Sequence, residues 1–329
     1  MAIGWAARAG IAERSVRDRF LRPMLGMPGT RLGLPRPGRR LHLSWNYWWQ
    51  AHLLDCLVDA HLRDPSEDRA ITALVRGIRL RNLGAWTNSY YDDIAWLGLA
   101  LQRAGGPERA LTAIESRLRS GWTDDFGGGI WWRRRDDFKN APANGPAAIY
   151  LARRGDHAWA RATVDWLDRT LVDPATGLVW DGIRPGETVR TTYTYCQGVF
   201  LGACVELSLV DQAARTIRAV ADHLAPDHVL PGQGEGDGGL FAGILARYLA
   251  DSALRLPAAE ADLARSLVLT SAKALWRNRV TTLDGPRFGV DWRHPGNPGR
   301  DLSVQLSAWM TLEAAARLAH SGGPDHPRV

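Results

Sequence analysis

Apolar residues recur at helical spacing through almost the whole chain, over residues 51–62, 71–78, 94–104, 110–118, 147–153, 158–171, 199–210, 213–224, 240–253, 259–275 and 302–318. A three-to-four-residue period of this kind makes an apolar stripe on an α-helix, so the pattern predicts an all-α protein. Alternation of the strand type is short, with 177–183 and 287–291 the best candidates. Six of the helices share a design: a polar or aromatic start followed by small and apolar residues, near Tyr47, Tyr90, Asn140, Tyr193, Asp237 and Asp301. Most are followed by a more amphipathic partner. Repetition at roughly 50 residues is the signature of a repeated helical hairpin. Six hairpins close into a toroid if the small-residue helices stand inside, where Gly198, Gly202, Gly239, Gly243, Ala147 and Ala148 permit close approach, and an open solenoid is the alternative. In a toroid, the Trp- and Gly-rich loops before the inner helices, such as 122–132, gather at one mouth.

No Pro/Ser/Gly-rich linker divides the pattern. The expected organisation is an N-terminal extension or leading helix over 1–40, one helical domain over 41–322 and a tail over 323–329. Hydrophobic content of 45% with 23% charged residues describes a globular chain with a sizeable core. The longest apolar runs, 94–101 and 238–246, fall short of the ~20 residues of a membrane span, so no membrane-spanning segment is expected. The net charge of +6 is spread as single and paired arginines among acids. The longest run, Arg133-Arg134-Arg135, is followed at once by Asp136-Asp137, and nothing forms the contiguous basic stripe of a nucleic-acid binder. Three cysteines, Cys56, Cys196 and Cys204, without a CxxC pair, indicate buried thiols rather than disulfides or a zinc ribbon. Residues 1–23 carry seven charged side chains and no apolar core of a secretory signal, so the expected location is cytoplasmic.

Fifteen tryptophans against seven tyrosines and six phenylalanines suit a groove that stacks on flat ligands, although any single indole is more often core. Tyr90-Tyr91-Asp92-Asp93, at the start of an inner helix, is the strongest chemical candidate. Two carboxyls held together cannot ionise independently, so one keeps a proton near neutrality, as retaining glycoside hydrolysis requires. Taken alone, Ser89-x-x-Asp92 reads more simply as a capping box. The surroundings add weight to the chemical reading. Trp131-Trp132 follows a Gly-rich turn, Asn140 and Asn144 bring two amides to the next inner helix, and Asp181, Tyr195, Gln197 and Asp237 precede or open later ones. Amides, carboxylates and aromatics with few cations make a lining for sugar hydroxyls and a poor one for phosphates, and no Gly-Lys-Ser/Thr phosphate loop occurs. Asp124-Asp125 and Asp136-Asp137 are rival pairs, beside glycine and arginine respectively, where turn and salt-bridge roles fit better. His42 and His52 lie by the first inner helix, and core or rim positions suit them better than the cleft. His294 reads as loop, and no His/Asp/Glu spacing suggests a metal.

In order, Tyr47-Trp48-Trp49-Gln50-Ala51-His52, Tyr91-Asp92-Asp93, Gly128-Gly129-Ile130-Trp131-Trp132, Lys139-Asn140-Ala141, Val179-Trp180-Asp181-Gly182, Tyr195-x-Gln197-Gly198 and Gly236-Asp237-Gly238-Gly239-Leu240-Phe241 resemble glycoside hydrolase family 76. The resemblance runs from about Trp45 to about Leu318. It implies an (α/α)6 toroid, an α-1,6-mannanase activity on mannan or lipomannan-type backbones, and no cofactor. It also implies a retaining mechanism with Asp92 as nucleophile and Asp93 as acid and then base. Tyr91, Asn140, Asn144, Asp181, Tyr195, Gln197 and Asp237 are then expected to position sugar hydroxyls, with Trp131 and Trp292 as stacking faces. Cys196 departs from the family, which commonly has Asn there, and replaces a donor-acceptor amide by a weak donor. Two other activities fit the family's fold: a glycan-binding toroid without turnover, or a glycosidase of another α-linkage. The intact Asp92-Asp93 argues against the former. An all-α terpenoid cyclase would need an acid where Trp96 stands in its DDxxD pattern.

Overall fold

A computed structural model describes residues 3–38, 44–65 and 69–320, so His42 lies outside the described residues. Among these are twelve α-helices: α1 (Trp5–Phe20), α2 (Tyr47–Arg63), α3 (Ala70–Arg81), α4 (Tyr91–Arg103), α5 (Glu108–Arg119), α6 (Ala141–Arg153), α7 (His157–Leu171), α8 (Thr194–Glu206), α9 (Val210–Ala219), α10 (Gly238–Arg255), α11 (Ala258–Arg277) and α12 (Leu302–His320). The even-numbered helices are buried nearly all round, as their small, apolar sequences require, whereas α5, α7 and α9 bury one stripe. Each even-numbered helix packs on the next, and α12 packs on α2. That last contact closes the ring and decides for the toroid over the solenoid.

Helices α3, α5, α7, α9 and α11 each pack outside the inner helix that precedes them, and α1 packs along α12. The leading helix set apart in the sequence is therefore the outer partner of the sixth inner helix, with Ala9, Ala12, Val16 and Phe20 buried. Neighbouring inner helices approach closely at Gly202, Gly239 and Gly243. A methyl group at Gly243 would stand 2.5 Å from Ser307 Cα and 2.7 Å from its carbonyl oxygen, so α10 and α12 can touch there only without a side chain.

The stretch 199–210 is not one helix: α8 ends at Glu206 and α9 begins at Val210. Strand structure is confined to short antiparallel pieces, displaced from the segments expected. β3 (Lys139–Asn140), β4 (Gly182–Arg184) and β5 (Glu187–Val189) form one sheet, and β6 (Val280–Thr282) and β7 (Gly285–Arg287) form a hairpin. β1 (Leu21–Arg22) pairs with β2 (Leu32–Gly33). The three-stranded sheet matters for the site. It pairs Asn140 with Gly182, and Ala141 N–H donates to Asp181 carbonyl at 2.8 Å. Gly182 allows it, because a Cβ there would lie 2.5 Å from both Lys139 carbonyl and the Phe138 ring. No helix among the described residues is long and apolar enough to cross a membrane.

Candidate active site

The N-terminal ends of the inner helices face one mouth, where a cleft of about 880 Å³ opens. Asp92 and Asp93 stand on its floor in the first turn of α4. The capping reading fails: neither carboxylate caps the helix, and Tyr90 is the N-cap without a side-chain bond. Asp92 instead accepts two hydrogen bonds, Oδ2 from Trp132 Nε1 at 2.9 Å and Oδ1 from the Asp93 amide at 2.8 Å. Asp93 Oδ2 accepts one, from Asn88 Nδ2 at 2.6 Å, while Asn88 Oδ1 takes the Tyr90 amide.

No salt bridge to either carboxylate occurs among the described residues, so burial governs their protonation. Burial lifts Asp92 to about 7, against the pull of its two N–H donors. Asp93 is raised well above the usual carboxylate range by burial and then by the charge of Asp92, with Asn88 opposing. Asp237 adds a third negative charge that raises both. Its Oδ1 accepts from the indoles of Trp48 (3.0 Å) and Trp49 (2.9 Å), which fix it at the rim.

Four of the other expected residues join the pair in the cleft: Asn140, Asp181, Tyr195 and Asp237. Asn140 caps α6 through Oδ1, which accepts from Ala143 N–H at 3.2 Å. Asp181, lifted to about 6 by burial, has the Cys196 thiol 3.8 Å from Oδ1 as its one side-chain partner among the described residues. Tyr195 stacks on Phe241 with ring centres 3.7 Å apart and planes 5° from parallel, and Tyr193 meets both edge-on.

Five expected residues do not line the cleft. Tyr91 turns into the core against Gly121, since the first helical position faces away from the mouth that Tyr90 borders. Trp131 packs over Lys139 Nζ at 4.6 Å and against Phe126. The segment is extended, with bridges at Ile130 and Arg133, so successive side chains alternate and it is Trp132 that faces Asp92. Trp292 is 2% exposed and buried between loops.

Asn144 and Gln197, both fully buried, are loop clamps. Asn144 accepts Ile130 N–H and donates to the carbonyls of Ile130 and Asn140. Gln197 does the same for Val179 and for Tyr193 carbonyl. Lys139 likewise serves the loop, donating to the carbonyls of Thr123, Asp125 and Gly128 at 2.7–2.8 Å.

Cleft residues outside the expected site set are Asn46, Tyr47, Trp48, Tyr90, Trp96, Trp132, Phe138, Arg184, Tyr193, Gln233, Gly238 and Phe241. Asn88, two residues before Tyr90, carried a signal: Asn at that offset makes a turn with the following amide and leaves its Nδ2 for Asp93. His52 is 2% exposed, between the rings of Trp48 and Trp96, and its Nε2 has no partner among the described residues. Burial and the Arg247 charge hold it neutral, at about 3. His294 lies in an exposed loop beside Asp291. Cys56, Cys196 and Cys204 are free and buried, and among the described residues no cluster of three His, Cys, Asp or Glu side chains is placed to hold a metal.

Residues 29–322 match the model of glycosyl hydrolase family 76. The fold is similar to that of an α-1,6-mannanase from Salegentibacter sp. HEL1_6, at 33% identity over 95% of this chain and 99% of that one, with a TM-score of 0.85. An inactive variant of that enzyme, with two consecutive aspartates changed to asparagine, was solved with α-1,6-mannotriose. A Listeria innocua protein is 29% identical over 98% of this chain and all of that one, at a TM-score of 0.85. A family 76 mannosidase from Bacteroides thetaiotaomicron, 16% identical over 97% of this chain and all of that one, shares the fold at 0.79. No curated protein sequence matches the chain significantly.

Proposed function

Because the chain belongs to glycosyl hydrolase family 76 and is a glycoside hydrolase, we propose that it cleaves α-1,6-mannosidic bonds by a retaining mechanism, with Asp92 as nucleophile and Asp93 as acid and then base. The observation that carries this reading is the unequal partnering of the two carboxyls. Asp92 has two N–H donors for its anion, and Asp93, beside that anion, has one and holds its proton more tightly. Asp92 attacks the anomeric carbon while Asp93 passes its proton to the departing oxygen, giving a mannosyl ester of Asp92. Asp93, now a carboxylate, takes a proton from water as the water oxygen displaces the ester.

Three consecutive aspartate pairs occur in the sequence, and Asp92-Asp93 alone lines the cleft. Asp125 accepts from Thr123, and Asp136 pairs with Arg133. The relative that lost activity on replacement of a consecutive pair therefore supports this assignment. Asn140, Asp181 and Asp237 offer polar groups to sugar hydroxyls, and the aromatic wall of Tyr193, Tyr195, Phe241 and Trp48 offers apolar faces. The substrate class is an α-1,6-mannan backbone, free or carried on a lipid as in lipomannan. A cytoplasmic setting belongs to the proposal, supported by the three unpaired thiols.

The test is incubation with a linear α-1,6-mannooligosaccharide, with products followed by chromatography and anomeric configuration by NMR. Release of the α-anomer first is expected. A β-anomer first overturns the retaining step, and no cleavage overturns the substrate.

A further inference from the structure

Outside the cleft, a second cavity of about 380 Å³ is walled by four arginines, Arg19, Arg36, Arg287 and Arg300. Arg19 closes its inner end from α1 and is 7% exposed. Its two terminal nitrogens donate to Ser15 and Thr282 hydroxyls and to the carbonyls of Pro286 and Gly285, none of which carries a charge. Its Nε is buried and has no acceptor among the described residues, and the same holds for Nε of Arg287. Buried donors are ordinarily satisfied. These two nitrogens are closed to solvent and the four terminal N–H groups of Arg19 are spent on the protein, so Arg19 gives the cavity an uncompensated positive charge rather than a donor.

The carboxylates nearby do not fill it. Asp301 is the buried one, and both its oxygens are engaged, Oδ1 by Arg36 Nε at 2.5 Å and Oδ2 by Gly236 N–H at 2.8 Å. Asp284 stands 3.9 Å from Arg287 and is mostly exposed, and Glu235 takes the backbone N–H of Arg300. Burial and then the Arg287 charge work against the charged form of Arg19, and an anion between the two would relieve the second of these.

We infer that this cavity is a binding site for a phosphate-class oxyanion, held by the guanidinium groups of Arg287 and Arg300 over the buried charge of Arg19. Guanidinium forks match the paired oxygens of phosphate, and the volume admits a phosphate ester as well as the bare ion. The site adjoins the cleft through one loop. Glu235 and Gly236 tie this loop to Arg300 and Asp301 on the cavity side, and Asp237 faces the cleft. A phosphate carried on a glycan and a free phosphate ion present the same chemistry, and the experiment separates them.

Isothermal titration of the full chain with inorganic phosphate is expected to show saturable binding at one site. Arg287→Gln with Arg300→Gln, the first half-buried and the second exposed, is expected to weaken it by about tenfold or more, and Asp92→Asn in the cleft leaves it unchanged. Failure of the wild type to saturate, or unaltered binding in the double variant, overturns the site. The second arm rests on the proposed mannanase activity and compares KM for an α-1,6-mannooligosaccharide with and without a phosphate ester. A preference for the ester that the double variant loses assigns the anion to the substrate. Equal KM values, with phosphate binding intact, assign the site to a free ion. Failure of the mannanase reading leaves the titration unaffected.

Discussion

A carboxylate that no cation neutralises is kept charged by hydrogen bonds alone, and Asp92 depends on the indole N–H of Trp132 for one of its two. Trp132→Phe removes that donor, so the ionised form of Asp92, the proposed nucleophile, becomes harder to form. The acid limb of the kcat/KM profile, expected near pH 7 from Asp92, then moves to higher pH. The rate falls about 10–100-fold, the worth of a hydrogen bond to a charged group. On the proposed mechanism, Asp92→Asn and Asp93→Asn are both expected to abolish turnover of mannan. With an activated aryl mannoside, Asp93→Asn still forms the mannosyl-enzyme, seen by mass spectrometry, because a good leaving group needs no proton. Stability moves the other way. Asp93 is raised above its unfolded value, so the folded state loses stability as pH climbs from about 4. Asp93→Asn should therefore raise Tm at pH 7.5 by about 2–6 °C and give no gain below pH 4, measured by scanning calorimetry. The pair itself was legible as adjacent acids at a helix start. The choice of Trp131 over Trp132 was not, because it turns on the extended backbone of 130–133, which depends on the neighbouring loop.

Four of the six inner helices carry an amide at their fourth residue: Gln50 in α2, Asn144 in α6, Gln197 in α8 and Gln305 in α12. Each clamps both the N–H and the carbonyl of one residue in a segment outside the helix, respectively Gly33, Ile130, Val179 and Phe288. The amide thus acts as one rung of a β-ladder, and the mouth is built of loops held this way. The two helices without it have Ile94 in α4 and Phe241 in α10 at that place. Their first turns supply Asp92, Asp93 and the Tyr195 stack instead. Replacing Asn144 or Gln197 by Leu leaves a buried N–H and carbonyl unpaired and should cost about 2–4 kcal/mol in chemical denaturation. The helices were legible from period and small residues. The clamps were not, since a buried amide and a sugar-binding amide are the same residue type and only the direction of the side chain separates them.

At the opposite end of the ring from the cleft, charge ties the inner helices together. Asp55 and Asp59 of α2 each bridge Arg103 of α4 and Arg247 of α10, with Arg247 to Asp59 at 2.6 Å. Burial opposes ionisation of both acids, and the two arginines outweigh it, holding both below the usual carboxylate range. Their contribution is present above about pH 4 and is lost as pH falls through the lowered values. Asp55→Ala leaves Arg247 short of a partner and should cost about 3–5 kcal/mol at pH 6, shrinking toward pH 2, read from unfolding midpoints across pH.

Closure of the ring has a consequence in time. Helix α1 is synthesised first and packs on α12, the last of the twelve, and α2 meets α12 as well. At ordinary rates of translation, on the order of 5–20 residues per second, α1 emerges tens of seconds before its docking surface exists. Until then the stripe of Ala9, Ala12, Val16 and Phe20 stays uncovered. The five hairpins from α2 to α11 can assemble as they leave the ribosome, and the sixth is completed only when α1 and α12 meet.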